Sequence, residues 1–394
     1  MPRPFRPRFS FCVALGAVCG LLLGARGASA QAPDWVLYNA GNAPIANDIR
    51  EIRQEGSAMW VLGPLALYRH QSGQWTTFAL SGSYVNGSPA GGRALHIDGR
   101  GTKWVGTSEE TLRLDGQGAF ATIGGGMGAP PLRYDDDIVA DPLGNLFFVS
   151  AFDGLYRYDG TAPSYVFGGG SRGLRRMIIS GSTYWFTTAS ELVRYEGNQE
   201  RRWYLNPTVY FTDLRRWNNL IWIASEQGMQ RFSPVTNQFL GAVTPANSPL
   251  PSRYVNCVLV DSQNALWAGT AQGLARYDGT AWQVFTSANS PLPVDDVRTL
   301  FQDAAGNLWI GTATGGVAVY HAGGILGAPA RGEEIAAAAF TIAPNPATTT
   351  ARLHFAGPTP RTVTILDALG RTVRQLAPPA AVATWEVPLA ALPA

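Results

Sequence analysis

Seven times this chain spells a short aromatic strand followed by small turn residues, and that repetition constrains its fold more than any other feature. The cores are Met59-Trp60-Val61-Leu62-Gly63, Lys103-Trp104-Val105-Gly106-Thr107, Leu146-Phe147-Phe148-Val149-Ser150 and Tyr184-Trp185-Phe186-Thr187-Thr188. They continue with Ile221-Trp222-Ile223-Ala224-Ser225, Leu266-Trp267-Ala268-Gly269-Thr270 and Leu308-Trp309-Ile310-Gly311-Thr312. Successive anchors at 60, 104, 147, 185, 222, 267 and 309 lie 37 to 45 residues apart. Repeats of roughly 40–50 residues built from short strands are blade-sized, so the period predicts a β-propeller.

Around residue 267 the unit reads most clearly. A β-branched run over 254–260 predicts an innermost strand, and Asp261-Ser262-Gln263-Asn264 a tight polar turn. Leu266–Gly269 and Gly273–Tyr277 give the second and third strands, and Trp282–Phe285 the outer one. Apolar residues alternate on strands of four to six residues, with no sustained 3.6-residue period over 34–322. Asp278-Gly279 is the signal for a type I′ hairpin, which needs positive φ at both central residues.

Counting outer strands fixes the closure. Trp75–Phe78, Phe120–Ile123, Tyr165–Phe167, Trp203–Leu205, Gln238–Leu240 and Trp282–Phe285 supply six. The last core runs on to Val317-Ala318-Val319-Tyr320 with no outer strand after it, whereas Trp35-Val36-Leu37-Tyr38 precedes the first. The expected fold is therefore all-β: a seven-bladed propeller over 34–322, closed by its N-terminal strand. Such closure removes an exposed strand edge. Loops joining outer to innermost strand and second to third strand share the face where ligands bind.

Ahead of the propeller, Arg3, Arg6 and Arg8 precede an apolar run from Phe9 to Leu23 and the small-x-small site Ala28-Ser29-Ala30. This is the pattern of a signal peptide over residues 1–30, leaving Gln31 as the mature N-terminus. The run falls short of the ~20 apolar residues a membrane span needs, so no transmembrane helix is expected in the mature chain. The signal takes four arginines, leaving 26 basic against 28 acidic residues. That balance speaks against nucleic-acid binding, which needs a basic field. Cys12 and Cys19 leave with the signal, so Cys257 remains alone and reads as a packed small hydrophobe.

Little in the chain suggests catalysis, a cofactor or a metal. His70, His96, His321 and His354 are scattered without metal-ligand spacing. Asp135-Asp136-Asp137 reads as an acidic loop at a strand entrance, either solvated and Arg-paired or attractive to Ca²⁺. Asp98, Asp141, Asp261 and Asp303 recur at one turn position, which points to turn capping. Gly124–Gly126 and Gly168–Gly170 lack the Lys-Ser/Thr of a phosphate loop.

One constellation stands out. Alignment on the aromatic cores puts Arg50, Arg93, Asp136, Arg175, Thr212, Asn256 and Arg298 in one slot at the start of the innermost strands, where the channel opens. Guanidinium groups there can grip a carboxylate or sulfate. The plainer reading is that they pair with Asp48, Asp136 or Asp296. Neighbouring Tyr134, Tyr210 and Tyr254 offer faces on which a sugar can stack.

The string Asn289-Ser290-Pro291-Leu292-Pro293, Asp296-Val297-Arg298, Asp303 and Gly306–Thr312 resembles the two-component regulator propeller repeat, as does 247–270. The resemblance implies a propeller of the kind found in periplasmic sensor halves of hybrid histidine kinases, with carbohydrate-derived ligands. No kinase or DNA-binding segment follows residue 322 here. Residues 323–339 read as a linker. Beyond it, Phe340–Pro346 with its Pro-Asn-Pro, and Thr362–Val373 with Asp367-x-x-Gly370-Arg371, resemble the type IX secretion sorting domain. That resemblance implies a small β-sandwich over 340–394 that engages the type IX machinery at the outer membrane. It is a partial one, because the family continues with a Gly-x-Tyr strand and a basic end.

These features give three expectations of function. The first is a secreted or cell-surface, non-catalytic binding module for a glycan or protein, periplasmic if the sorting domain does not act. The second is a polysaccharide hydrolase or lyase, for which only Asp135–Asp137 and Asp295–Asp296 offer carboxylates. The third is a scaffold with no small ligand.

Overall fold

A computed structural model separates the chain into two units, 34–326 and a second made of 1–33 with 327–394. It describes residues 34–80, 84–85, 88–89, 91–108, 110–114, 120–123, 135–168, 173–206 and 209–325 of the first. Of the second it describes 12–15, 340–343, 350–355, 363–366, 372–376 and 384–388.

The first unit holds seven four-stranded antiparallel sheets, beside a short pairing of Tyr84–Val85 with Ser88–Pro89, and no helix among the described residues. Their innermost strands are Glu51–Glu55, Gly92–Ile97, Asp135–Ala140, Arg176–Ser180, Phe211–Trp217, Val255–Val260 and Val297–Gln302. Each packs beside the next, and the seventh beside the first, so the sheets are propeller blades around an axis. In the seventh sheet, Trp35–Tyr38 pairs antiparallel with Val317–Tyr320, Trp35 opposite Tyr320 and Tyr38 opposite Val317.

Each position of the repeated core motif has a physical job. The turn aspartate caps its own hairpin and then holds the tryptophan. Asp261 Oδ1 accepts the Gln263 and Ala265 N–H groups, while Oδ2 accepts Trp267 Nε1 at 2.7 Å. Asp98 holds Trp104 at 3.0 Å and Asp303 holds Trp309 at 2.9 Å in the same way. Burial works against the charged form of Asp98, yet the Trp104 indole and the N–H groups of Thr102 and Arg100 keep its carboxyl below the usual range. Asp141, whose blade has Phe147 instead, spends Oδ2 on Asn145. In the first blade, Glu55 takes over and accepts from Trp60.

The small residue after the core exists because the next blade lies against it. A Cβ on Gly269 would sit 2.5 Å from Cys257 Sγ and 2.7 Å from Val297 Cγ1. One on Gly311 would sit 2.5 Å from Thr299 and 2.6 Å from Ile49, across the seam between seventh and first blades. The hydroxyl that follows ties the next hairpin: Thr107, Ser225, Thr270 and Thr312 are fully buried and each donates to a backbone carbonyl three or four residues on. Inter-blade packing then follows, with Trp267, Leu274, Leu292, Leu300 and Ile310 in one cluster and Trp217, Trp222, Leu250 and Val258 in another.

Two local expectations are corrected. The hairpin at Asp278 is not a two-residue type I′ turn. Tyr277 pairs with Trp282 across a four-residue loop, and only Gly279 has positive φ, at 100°. The Asp278 carboxylate organises that loop by accepting the Thr280 and Ala281 N–H groups. The Asp135–Asp137 run is not a loop but the start of an innermost strand, bulged between Asp135 and Asp137.

In the second unit, Phe340–Ala343, Thr350–Phe355 and Thr384–Pro388 form one three-stranded sheet. Cys12–Leu15, Val363–Leu366 and Thr372–Leu376 form another. Ala28–Ala30, most of the 323–339 segment and the Pro-Asn-Pro motif lie outside the described residues.

Candidate ligand-binding channel

Seven innermost strands converging on one axis leave a cavity of about 430 Å³, lined by residues from every blade. Its charged lining is five arginines, Arg50, Arg53, Arg176, Arg215 and Arg298, against three carboxylates, Glu51, Asp137 and Asp213. These side chains fall into two tiers.

The upper tier is the slot read from the sequence, of which Arg50, Asn256 and Arg298 line the cavity and Arg93, Asp136, Arg175 and Thr212 do not. Arg50 donates through Nε and Nη2 to Asp48 Oδ2, at 3.0 and 2.7 Å, and Arg298 Nη2 reaches Asp296 Oδ2 at 2.7 Å. In both, the partner lies two residues earlier on the same strand entrance. Arg93 reaches across to Asp136 of the following blade, with Nε 2.9 Å from Oδ1. Asn256 also crosses a blade boundary, donating to Asp296 Oδ1 at 3.0 Å and to the Val297 carbonyl at 2.8 Å. Thr212 donates to the Val255 carbonyl at 2.6 Å. Arg175 differs from the other three arginines. It is exposed and, among the described residues, has no side-chain hydrogen bond or ion pair. Tyr210 and Tyr254 are 45% and 42% exposed, and Arg253 lies 4.5 Å over the Tyr254 ring. Tyr134 lies outside the described residues.

The lower tier is one that sequence reasoning missed. Glu51, Asp137 and Asp213 occupy the same position in blades one, three and five, and all three are buried. Each accepts a backbone N–H from the next blade: Glu51 from Leu95 at 2.8 Å, Asp137 from Met177 at 3.0 Å and Asp213 from Val258 at 3.0 Å. Glu51 also binds Arg53, and Asp213 binds Arg215 at 2.9 Å. Arg176 donates to the Asp136 carbonyl. Burial opposes its charge, but Asp137, Glu51 and Asp213 hold its pKa above the usual value. Burial pushes the Asp137 carboxyl up, with Arg176 working against it. Desolvation, with Arg53 adding to it, lowers His96 to about 4, so its imidazole is neutral at pH 7. The tier thus spends its polar groups on itself and on inter-blade bracing. The sequence signal for it was an acidic residue nine or ten positions ahead of the core aromatic in alternate blades.

Cys257, buried in the same wall, has its thiol pushed well above its ordinary value by desolvation, so it is inert at neutral pH. Among the described residues, no group of three or more His, Cys, Asp or Glu side chains is placed to hold a metal ion. No helix among them is long and apolar enough to cross a membrane.

Comparison with known proteins agrees with this architecture. Residues 249–272 and 291–314 match the two component regulator propeller family. No curated protein sequence matches the chain. The extracellular domain of a hybrid two-component system protein from B. thetaiotaomicron has a similar structure, with TM-score 0.60 and 14% identity. That similarity covers 87% of this chain and 49% of that one, so the chain spans about half of that structure's length. PorZ, a surface component of the type-IX secretion system of Porphyromonas gingivalis, gives TM-score 0.55 and 18% identity, covering 87% of this chain and 55% of PorZ. Virginiamycin B lyase from Staphylococcus aureus gives TM-score 0.56 and 13% identity, covering 70% of this chain and 95% of the lyase. At such identities the likeness is one of fold.

Proposed function

We propose that this protein is an exported, non-catalytic propeller whose channel mouth binds a glycan or a protein. The binding rim comprises Arg50, Arg93, Asp136, Arg175, Asn256, Arg298, Tyr134, Tyr210 and Tyr254. One observation carries the reading: the polar groups of the lower tier are committed to one another and to neighbouring blades, whereas the rim above them presents exposed guanidinium and phenol groups. A hydrolase or lyase needs an uncommitted acid/base pair within reach of substrate. A binding site needs presented donors and aromatic faces.

The reading extends to the ends of the chain. A signal peptide over 1–30 directs export, and Trp35–Tyr38 closes the ring of the 34–322 propeller. After a linker over 323–339, residues 340–394 act as a partial sorting domain for the type IX machinery. Use of this fold by PorZ at the bacterial surface supports that setting.

Screening the mature chain on a glycan array and a panel of exported proteins, with a turnover assay on every binder, tests the proposal. Saturable binding without product supports it. Catalytic turnover of a bound glycan, or no saturable ligand of either kind, overturns it. N-terminal sequencing of exported protein should read from Gln31.

A further inference from the structure

We propose that the ligand is held by one arc of the rim, over blades four to six, and is an oligosaccharide carrying carboxylate or sulfate groups. Arg175 grips the anionic group, and Tyr210 and Tyr254 stack on the sugar faces. This deepens the binding-module reading and rests on it.

The rim is not equivalent all round. On the arc from blade seven through one and two to three, every rim arginine already has its own carboxylate: Arg298 with Asp296, Arg50 with Asp48, Arg93 with Asp136. A ligand anion arriving there must compete with a fixed one. On the other arc the slot that carries Asp48 and Asp296 carries Tyr210 and Tyr254 instead, and Arg175 is left without a counter-charge among the described residues. The exposed charges of the arc's entrances and hairpins are Glu226, Arg175 and Arg253, while Glu191 of the blade-four hairpin is already paired with Arg202.

Backbone hydrogen bonds make this arc one continuous surface. Arg175 N–H donates to Thr187, and two residues along that hairpin the Ala189 carbonyl accepts Phe211 N–H at 2.8 Å. Tyr210 then accepts Glu226 N–H at 3.1 Å, and the same hairpin's Gly228 N–H donates to Arg253 at 2.6 Å, next to Tyr254. Arg253 donates to Gln227 at 3.3 Å and lies over the Tyr254 ring, which fixes the second platform in place. Aromatic faces are electron-rich, and the C–H faces of a pyranose present the complementary edge. A planar guanidinium left free is the donor set that carboxylate and sulfate match bidentately. Two exposed rings and a free cation presented by three successive blades fit a chain of sugars rather than a single one.

The test uses the mature chain and four probes: tetragalacturonate, its methyl ester, a chondroitin sulfate tetrasaccharide and a neutral tetrasaccharide, read by calorimetry. At least one charged probe should bind, and the neutral ones should bind roughly tenfold more weakly or not at all. Tetragalacturonate carries carboxylates alone and chondroitin sulfate carries both groups, so binding of tetragalacturonate assigns the carboxylate and binding of chondroitin sulfate only assigns the sulfate. Arg175→Ala, Tyr210→Ala and Tyr254→Ala should each weaken binding roughly tenfold with melting unchanged, while Tyr254→Phe, which keeps the ring, restores it. Leu143→Ser, an exposed change in a first-to-second-strand turn on the opposite face, should change nothing. Failure of both charged probes to bind at millimolar concentration overturns the proposal. So does charged-probe binding that survives all three alanine changes; that result leaves the binding-module reading standing. Cleavage of a probe overturns both.

Discussion

The imidazole of His70 lies 5.1 Å from the ring of Tyr38, centroid to centroid, although the two belong to different blades. His70 is on the third strand of the first blade; Tyr38 is on the strand that pairs with Val317–Tyr320 of the last. Trp75 at 4.7 Å and Trp309 at 5.9 Å complete an aromatic nest around the imidazole, whose Nε2 is buried without a hydrogen-bond partner. Burial lowers the pKa of His70 to about 4.

That nest makes the seam acid-sensitive. A histidine that is harder to protonate when folded leaves stability intact above its unfolded value near 6.5, and stability falls as pH drops from there toward 4. His70 and His96 both follow this course, each contributing a loss of about 3 kcal/mol across the window. Thermal melts between pH 7 and 4 should show the decline, and hydrogen exchange over 35–38 should rise with it. His70→Phe should cut the pH slope by roughly half. An unchanged slope refutes the assignment.

Trp35 should be the side chain that most firmly seats the N-terminal strand. Its ring lies 4.7 Å from Tyr320 and 5.8 Å from Phe285, so it joins the last blade to the sixth. Trp35→Ala should cost about 2–3 kcal/mol, below the full core value because Trp35 is only half-buried. Deleting 31–38 bares the edge of Val317–Tyr320 and should turn the protein into oligomers on size exclusion. A monomer of undiminished stability after that deletion contradicts closure by this strand.

Why the blades were legible and the lower tier was not is a matter of repetition. Trp267, Gly269 and Thr270 recur with their partners Asp261 and Gly273 because each blade solves the same local problem, so periodicity exposes them. Glu51, Asp137 and Asp213 recur only in alternate blades, and their acceptors' partners are backbone N–H groups that no side-chain pattern reveals. Asp137 was further hidden inside an acidic triplet that reads as loop, because the bulge that turns it inward has no sequence signature. At the rim the slot could be aligned, but which arginine pairs with which aspartate depends on blade-to-blade geometry. Arg93 finds Asp136 43 residues away, and Arg175 finds none among the described residues. The Asp278 loop misread has a similar cause. Asp-Gly fits a tight I′ turn, but here the aspartate accepts from Thr280 and Ala281, which holds four residues open.

Asp261 carries both a turn and a tryptophan, so its removal should cost more than a cap alone. In Asp261→Ala the Trp267 indole N–H stays buried without an acceptor, and the Gln263 and Ala265 N–H groups lose theirs. The expected loss is about 3 kcal/mol. Asp278→Ala, on an exposed loop of the same blade where water replaces the lost acceptor, should cost far less. Equal effects in urea titrations would argue that the indole bond contributes nothing.

The sharpest contrast in the molecule is between the two tiers of the channel, which are one residue apart in sequence. Asp213→Ala strips the Val258 N–H of its acceptor across the blade boundary and leaves Arg215 without its carboxylate partner. Only Asp213 is buried in this pair, Arg215 being 34% exposed, so the cost lies in the stranded Leu214 and Val258 N–H groups and comes to about 2–3 kcal/mol. Arg298→Ala one tier up removes an ion pair whose members are 49% and 32% exposed, where water replaces the lost partner. Its stability effect should be under about 1 kcal/mol. Replacing Asp213 and Arg215 together, by Asn and Met, should recover part of the single-variant loss, since the Asn oxygen can again accept the Val258 N–H. Denaturation of the three variants side by side decides the matter. A fall with Arg298→Ala as large as with Asp213→Ala would make the rim a structural tier as well, and would remove the physical distinction on which a ligand site at the channel mouth depends.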